Sequence, residues 1–149
     1  MQIDTTRFGQ IDIPEEAVIR FPQGLYGLES IEEYCLLPHP GDAPLYWLQA
    51  VTAPHVALMV TDPFHFCPGY EVEIPDPATD ILSAAESSEV SVYTTVSVTR
   101  DQGGVYTNLL GPVVINHEAR RGMQIVLDGS KYTTRYPIVP EMDQREEAA

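Results

Sequence analysis

Short runs of β-forming residues, separated by Pro, Gly and Asp, follow one another along most of the chain. Residues 70–74 (YEVEI) alternate most regularly, with glutamates on one face and apolar side chains on the other. Period-two alternation is typical of a β-strand that buries one face. We predict strands at residues 3–5, 10–13, 17–21, 34–37, 45–51, 55–61, 70–74, 90–99, 113–116 and 123–127.

One segment departs from this β pattern. Residues 77–89 lack aromatic side chains and place Ile81, Leu82 and Ala85 at helical spacing. Asp76 stands where an N-cap residue is expected, and the proline that follows it suits the first helical position. The pattern therefore predicts a single short helix at about residues 77–89.

Many short strands with one helix predict a mainly β protein, a single-domain antiparallel β-barrel or sandwich. A parallel α/β fold is disfavoured, because parallel strands need crossover helices between them and the sequence predicts only one short helix. At 149 residues the chain fits one domain. We place this domain at residues 1–140 and predict that residues 141–149, which are acidic and poor in apolar side chains, form a flexible tail.

Acidic side chains dominate the charged residues. The chain has 22 Asp and Glu against eight Lys and Arg, a formal net charge of −14. No Lys or Arg occurs between Arg20 and Arg100. Such a surface repels phosphate, so we predict no direct nucleic-acid binding, and it attracts a basic protein. Solubility or adaptation to high salt produces the same excess of acids, and composition alone leaves that alternative open.

The sequence has no sign of a membrane segment or an export signal. No apolar run approaches the ~20 residues that span a bilayer, and no basic and apolar signal follows Met1. We therefore predict a cytoplasmic protein without a membrane partner. Cys35 and Cys67 lack the C-x-x-C spacing and are expected to remain reduced thiols.

Motifs for catalysis or cofactor binding are absent from the sequence. It contains no G-x-S-x-G, P-loop, H-E-x-x-H or G-x-G-x-x-G pattern, so we predict a non-enzyme without a cofactor. Cys35, His39, His65 and Cys67 are two Cys and two His, which form a valid zinc set. Their spacing differs from the common zinc knuckles, so packing is the favoured interpretation. A small zinc-binding or enzymatic β-barrel using these four residues is the alternative.

A protein-binding surface is predicted on the acidic middle third of the chain. Residues 62–69 form a loop with two phenylalanines beside acidic strands. Aromatic side chains ringed by acids suit a partner that is both apolar and basic. The predicted partner-binding residues are Glu29, Glu32, Glu33, Phe64, Phe66, Glu71, Glu73, Asp76 and Asp80.

Several sequence blocks occur together in an order that is typical of one protein family. They are FPQGLYGLE at 21–29, WLQA at 47–50, DP at 62–63, YEVEI at 70–74, NLLGPVVIN at 108–116 and GMQIVL at 122–127, followed by Tyr132 and Pro137. On these blocks, which cover about residues 3–138, the chain resembles the flagellar assembly factor FliW family. Leu28 stands where an aromatic is common in the family, and Gly111 where Ala is common.

The resemblance implies a small β-barrel-type cytoplasmic protein that regulates without catalysis. FliW-like proteins bind flagellin and bind CsrA, a basic RNA-binding translational regulator that acts as a dimer. Bound to CsrA, they antagonise its repression of flagellin mRNA translation, and newly made flagellin takes them away again. The acidic composition agrees with this independently, because opposite charge steers association with a basic partner.

Within these blocks the glycines have a structural interpretation. Gly24 and Gly27 flank Leu25 and Tyr26, and this spacing predicts a sharp turn with positive φ. The blocks therefore identify the fold more directly than they identify a binding site.

Overall fold

The computed structural model describes residues 1–41, 44–84, 90–99 and 104–138, and short strands are its main secondary structure. In these ranges the strands are β1 Gln2–Thr5, β2 Gly9–Asp12, β3 Val18–Arg20, β4 Glu33–Pro38, β5 Leu45–Ala50, β6 Ala57–Thr61, β7 Ser91–Thr99, β8 Gly104–Thr107, β9 Val113–Asn116, β10 Arg121–Gln124 and β11 Tyr136–Ile138. Helix α1 spans Asp76–Leu82, and short 3-10 helices span Glu15–Ala17 and Pro63–His65.

Seven of these strands close into a barrel. Their order is β7-β6-β5-β4-β3-β10-β9, and β9 pairs back onto β7. Strand β7 is long enough to serve several neighbours, since Ser91 to Tyr93 pair with β9, the next two residues with β6, and the remainder with β8. Beyond the barrel, β11 extends the sheet from β8, and β1 pairs with β2 in a separate hairpin.

The predicted mainly β barrel with one short helix is confirmed, with one difference in strand direction. Strands β3 and β10 are parallel, with Arg20 opposite Arg121, whereas the other pairings are antiparallel. Two chain segments that run the same way are brought side by side here because the barrel closes between strands far apart in sequence. Alternation within a single strand contains no information on that direction.

The barrel encloses an apolar core. Phe21, Tyr34, Leu48, Val113 and Ile115 are fully buried in it. The ring of Phe21 meets that of Tyr34 edge-on, with centroids 5.3 Å apart, a favourable aromatic geometry. Each such side chain contributes roughly 1.5–3 kcal/mol through burial, so this core is the main source of stability in the barrel.

The 21–29 block forms the tight turn that its glycines predict. Gly24 and Gly27 have φ of +64° and +86°. A Cβ added to Gly24 would lie 2.6 Å from the Cα of Glu29, so only glycine fits this close approach. The backbone N–H of Tyr26 donates to Oε1 of Gln124 at 3.0 Å, which ties the turn to β10.

Helix α1 is shorter than the sequence predicts. It begins at Asp76, which is its first helical residue rather than the N-cap, and Pro75 occupies the N-cap position without a side-chain cap. It ends at Leu82 because Ser83 takes a left-handed conformation with φ 54°. Residues 85–89 of the predicted helix lie outside the described residues.

Two further differences concern strands. Residues 70–74, predicted as a strand, belong to none of the strands of the described structure, because no neighbouring strand lies alongside them. Strands β8 and β11 were not expected from the sequence, since Gly104 begins the first and Pro137 lies within the second. Residues 141–149 lie outside the described residues, so the division into domain and tail stays a prediction. In the described part of the chain, no helix is long and apolar enough to cross a membrane.

Candidate functional site

A groove with acidic walls lies between the segment that leads into α1 and the segment that follows β10. We call it the acidic groove and define it by residues 71–76 on one wall and 126–132 on the other. Its volume is about 800 Å³. The charged side chains that line it are Glu71, Glu73, Asp76, Asp128 and Lys131. The groove therefore contains four carboxylates and one ammonium group.

Apolar anchors set the direction of the groove glutamates. Glu71 and Glu73 are exposed, whereas Val72 and Ile74 are half-buried. These two apolar side chains pack against the core cluster of α1, β9 and β10 that contains Leu82. Because successive side chains of an extended segment point to opposite faces, burial of the apolar pair directs both carboxylates to solvent.

Two tyrosines join the walls at one end of the acidic groove. Tyr70 is buried and its hydroxyl donates to the carbonyl of Leu109 at 2.5 Å. Its ring meets Tyr132 edge-on at a centroid distance of 4.7 Å, and the hydroxyl of Tyr132 accepts the N–H of Glu71 at 2.8 Å. Burial, and secondarily Tyr132, raises the pKa of Tyr70, so this hydroxyl remains a neutral donor.

The groove carboxylates take part in no ion pair within the described part of the chain. The two ion pairs found there join the N-terminus to Asp12 at 3.2 Å and Arg20 to Glu33 at 3.9 Å, away from the groove. The ammonium of Lys131 lies 5.9 Å from the ring centroid of Tyr132. Unpaired like charges within a concave surface produce a negative potential that attracts cations over about 8–10 Å at physiological ionic strength.

A second groove, which several aromatic and aliphatic side chains line, lies on the other side of residues 71–75. We call it the aromatic groove; its volume is about 410 Å³, and its lining includes Tyr46, Phe64, Val72 and Tyr93. Phe64 is 41% exposed, and its backbone N–H donates to the carboxylate that caps the 3-10 helix, at 2.9 Å. The rings of Tyr46 and Tyr93 meet edge-on at 5.8 Å, so the groove has a preformed aromatic wall.

The structure brings part of the predicted partner-binding set together. Glu71, Glu73 and Asp76 line the acidic groove, and Phe64 lines the aromatic groove. Asp80 is exposed on α1 about one helical turn after Asp76 and lines neither groove. Four members of the predicted set therefore lie on or beside the segment at 71–75.

The other predicted partner-binding residues lie elsewhere. The carboxylate of Glu29 accepts a backbone hydrogen bond within its own turn at 2.8 Å. Glu33 lies on β4, with its carboxylate 3.9 Å from the guanidinium of Arg20. Glu32 is exposed just before β4, and the half-buried ring of Phe66 packs edge-on against the neighbouring histidine at 5.0 Å.

The second wall of the acidic groove, at residues 126–132, was not expected from the sequence. Asp128, Lys131 and Tyr132 belong to the wall at 126–132, which lies beyond the segment free of basic residues. The Asp-Gly pair at 128–129 is a turn signal, and Gly129 has φ +76°. That signal predicts a turn but not the wall that the turn faces.

The four residues of the alternative zinc site have separate surroundings. Cys35 is fully buried on β4, and burial raises the pKa of its thiol to about 11, which disfavours the thiolate that binds zinc. The ring of His39 stacks on Trp47 at 6.1 Å. His65 and Cys67 lie in the loop after β6, and no group of three or more His, Cys, Asp or Glu in the described residues is placed to hold a metal.

The closed barrel with its short helix α1 places the protein in a class of small β-barrel proteins. The fold of this class is also seen in a solved crystal structure. A crystal structure of the flagellar assembly factor FliW superimposes with a TM-score of 0.86 at 30% sequence identity, covering 95% of this chain and 99% of that chain. The family model described as FliW protein matches residues 2–138.

Curated relatives are similar over almost their whole length. A flagellar assembly factor FliW from Moorella thermoacetica is 38% identical over 142 residues, which covers 95% of this chain and 90% of the relative. One from Alkaliphilus metalliredigens is 36% identical over 148 residues, covering 99% and 91%. The chain therefore belongs to the FliW family, and the resemblance that its sequence blocks predicted is confirmed.

Proposed function

We propose that this protein is a flagellar assembly factor that works by binding other proteins and performs no catalysis. Its family relatives are named as assembly factors. In this proposal the protein binds CsrA and antagonises the repression of flagellin mRNA translation by CsrA, while flagellin competes for it. The observation that carries the proposal is the acidic groove, with its four carboxylates and single ammonium group.

Charge explains why such a groove suits an antagonist of an RNA-binding protein. A basic dimer that binds RNA phosphates presents cationic side chains, and the groove offers carboxylates without cationic partners in the described residues. The formal net charge of −14 steers the two proteins together and repels RNA from the complex. Antagonism then requires no contact with the RNA-binding surface itself.

The aromatic groove is the proposed contact for flagellin. Exposed aromatic side chains beside apolar ones are typical of the energetic centre of a protein interface. Phe64 is the exposed ring, while Tyr46 and Tyr93 form the wall behind it. Because the two grooves share the segment at 71–75, a protein in one groove lies close to a protein in the other.

Charge reversal tests the CsrA contact. Replacing Glu71→Lys together with Glu73→Lys is expected to slow association with CsrA and to weaken binding by about 1–3 kcal/mol at low salt. Surface-immobilised kinetics at about 0.05 M and about 0.5 M salt measure this, because salt screens exposed charges. The matched control is Glu15→Lys with Glu16→Lys, two exposed acids outside the groove that give the same change in net charge.

Two outcomes of this experiment are decisive. The groove variant is expected to lose most of its salt dependence, while the control variant keeps association within about threefold of the native rate. If the groove variant associates at the native rate at both salt concentrations, the glutamates are a solvated face and CsrA binds elsewhere.

Truncation of the exposed ring tests the flagellin contact. Phe64→Ala is expected to weaken flagellin binding by about 1–2 kcal/mol while changing CsrA association little. Phe66→Ala is the matched control, because that ring is half-buried and does not line the groove. Equal loss in both variants, or loss of CsrA alone, would contradict the assignment.

We also propose a cytoplasmic protein with one domain at 1–140 and a tail at 141–149. Removal of this tail is expected to leave the melting temperature nearly unchanged, because its sequence has few apolar side chains to anchor it. A fall of many degrees in calorimetry would show that the tail is part of the domain.

A further inference from the structure

The wall of the acidic groove at residues 71–75 has the alternation of a strand without a sheet partner. In the described part of the chain, the backbone N–H and C=O groups of Val72, Glu73 and Ile74 make no backbone hydrogen bond. An unpaired edge of this kind accepts another extended segment, whose backbone supplies the missing hydrogen bonds.

One hydrogen bond shows which way this edge faces. The N–H of Glu71 donates to the hydroxyl of Tyr132 at 2.8 Å, and Tyr132 lines the acidic groove. In an extended chain the N–H and C=O of a residue point to one side, and those two residues further on point to that side again. The N–H and C=O of Glu73 therefore face the acidic groove, whereas those of Val72 face away.

The opposite wall offers a second edge at Val126. The N–H groups of Ile125 and Leu127 donate to the carbonyls of Pro112 and Leu110 at 3.0 and 2.8 Å. Val126 lies between them, so its own backbone groups point away from that pairing. Its side chain is 40% exposed and lines the acidic groove. The groove thus has an extended backbone on each side.

We propose that the acidic groove binds an extended segment of a protein partner, with Lys or Arg at alternate positions, which adds a strand to residues 71–75. Charge complementarity selects this occupant, because the groove carboxylates outnumber the ammonium of Lys131 by four to one. Residues 141–149 of the chain itself are a poor occupant, since they contain four acidic residues and one Arg. The inference rests on the proposed function and states how the basic partner is held.

Two short synthetic peptides of identical composition test strand addition against charge attraction alone. One alternates Arg and Val, and the other has all Arg in one block followed by all Val. Fluorescence anisotropy with the full chain is expected to show about tenfold tighter binding of the alternating peptide, the effect of one or two additional backbone hydrogen bonds. Equal binding of both peptides would overturn the proposal.

Hydrogen exchange of backbone amides in the complex reports backbone hydrogen bonding directly and does not depend on side-chain charge attraction. Binding of the alternating peptide is expected to slow hydrogen exchange at the Glu73 N–H by about tenfold or more. The Val72 N–H, which points away from the groove, is the internal control and is expected to exchange at its free rate. Unchanged exchange at Glu73 with bound peptide would contradict strand addition.

A pair of variants separates the backbone from the side chain. Glu73→Pro removes the donor, whereas Glu73→Ala removes the carboxylate and keeps the N–H. The proline variant is expected to lose the preference for the alternating peptide and the alanine variant to keep it, with circular dichroism confirming that both are folded. Retention of the preference in Glu73→Pro would overturn the proposal, as would a gain in peptide affinity on removing residues 141–149.

The two proposals fail in different ways. Strand addition is wrong and the proposed function stands if CsrA binding depends on Glu71 and Glu73 while the two peptides bind equally. If the two peptides differ as expected but CsrA binds the charge-reversal variant as it binds the native protein, the proposed function is wrong. Strand addition then stands as a property of the groove.

Discussion

The barrel and the acidic groove differ in whether the backbone is hydrogen-bonded to neighbouring strands. Strands β4 and β5 are each hydrogen-bonded to a neighbouring strand on both sides. Their core-facing side chains, such as Tyr34 and Leu48, are fully buried. At residues 71–75 no strand lies alongside the segment in the described structure, and Glu71 and Glu73 are exposed. The residues that stabilise the fold and the residues proposed to bind a partner therefore lie in different regions.

This separation has a physical reason. A closed barrel leaves no edge at which another chain can add, so a binding edge has to lie outside the closed ring. Residues 71–75 are held in place by Val72 and Ile74, which pack against the cluster of α1, β9 and β10 that contains Leu82. No strand pairing holds them within the described residues. Their backbone therefore remains available without weakening the barrel. Variants in the barrel core are expected to lower the free energy of unfolding. Variants in the acidic groove are expected to weaken partner binding and to leave the free energy of unfolding nearly unchanged.

The largest effect on stability is expected at the barrel core. Phe21→Ala removes a fully buried ring and is expected to lower the free energy of unfolding by about 3–5 kcal/mol in urea titration. Phe64→Ala, at a ring that is 41% exposed beside the groove, is the matched control and is expected to lower it by less than about 1 kcal/mol. Equal losses would show that the two regions are not separate.

A smaller effect is expected at the turn of residues 21–29. Gly24→Ala forces a Cβ to 2.6 Å from the Cα of Glu29 in a backbone with φ +64°, and is expected to reduce stability by about 2–4 kcal/mol. Gly27→Ala has φ +86° but no atom within 4 Å of the added Cβ, so it is expected to lose only about 1 kcal/mol. Thermal unfolding of the two variants isolates the close approach, and identical melting temperatures would contradict it.

Alkaline pH is expected to weaken the barrel through Cys35. Burial raises the pKa of this thiol from 9.0 to about 11, so the folded state keeps a proton that the unfolded state releases between these values. The contribution is complete below pH 9 and is lost as pH rises to about 11, a decrease of about 2–3 kcal/mol. The difference in pH slope between the native chain and Cys35→Ala, measured by urea titration under reducing conditions, is the test. Equal slopes would contradict it.

The smallest effect on stability is expected at the groove. Glu71→Lys with Glu73→Lys changes two exposed side chains that form no ion pair in the described residues. The free energy of unfolding is expected to stay within about 0.5 kcal/mol of the native value. A loss above about 2 kcal/mol in urea titration would mean that these carboxylates support the fold.

The sequence predicts the local features of this molecule well. Alternation at residues 70–74 correctly indicates which side chains face the core and which are exposed, and the spacing of Gly24 and Gly27 correctly predicts positive φ. Both depend only on neighbouring residues. The length of α1 could not be predicted in this way, because its end is set by the left-handed conformation of Ser83, a residue type that rarely adopts it.

Features that depend on distant segments were not accessible from the sequence pattern. Alternation alone cannot show that residues 70–74 lack a strand neighbour, since pairing is decided by the fold of the whole chain. Asp128 lines the groove because the segment after β10 forms its second wall. The parallel pairing of Arg20 with Arg121 likewise follows from barrel closure.

Site-specific photo-crosslinking tests the central claim most directly, namely that the acidic groove holds the basic partner and the closed barrel does not. A photoreactive amino acid replaces Val126, which is 40% exposed in the groove, or Val98, which is 60% exposed on β7 outside it. Neither replacement changes charge. We expect crosslinks to CsrA from position 126 and none from position 98, despite the greater exposure of the latter. Crosslinking from position 98 alone, or equally from both, would contradict the account.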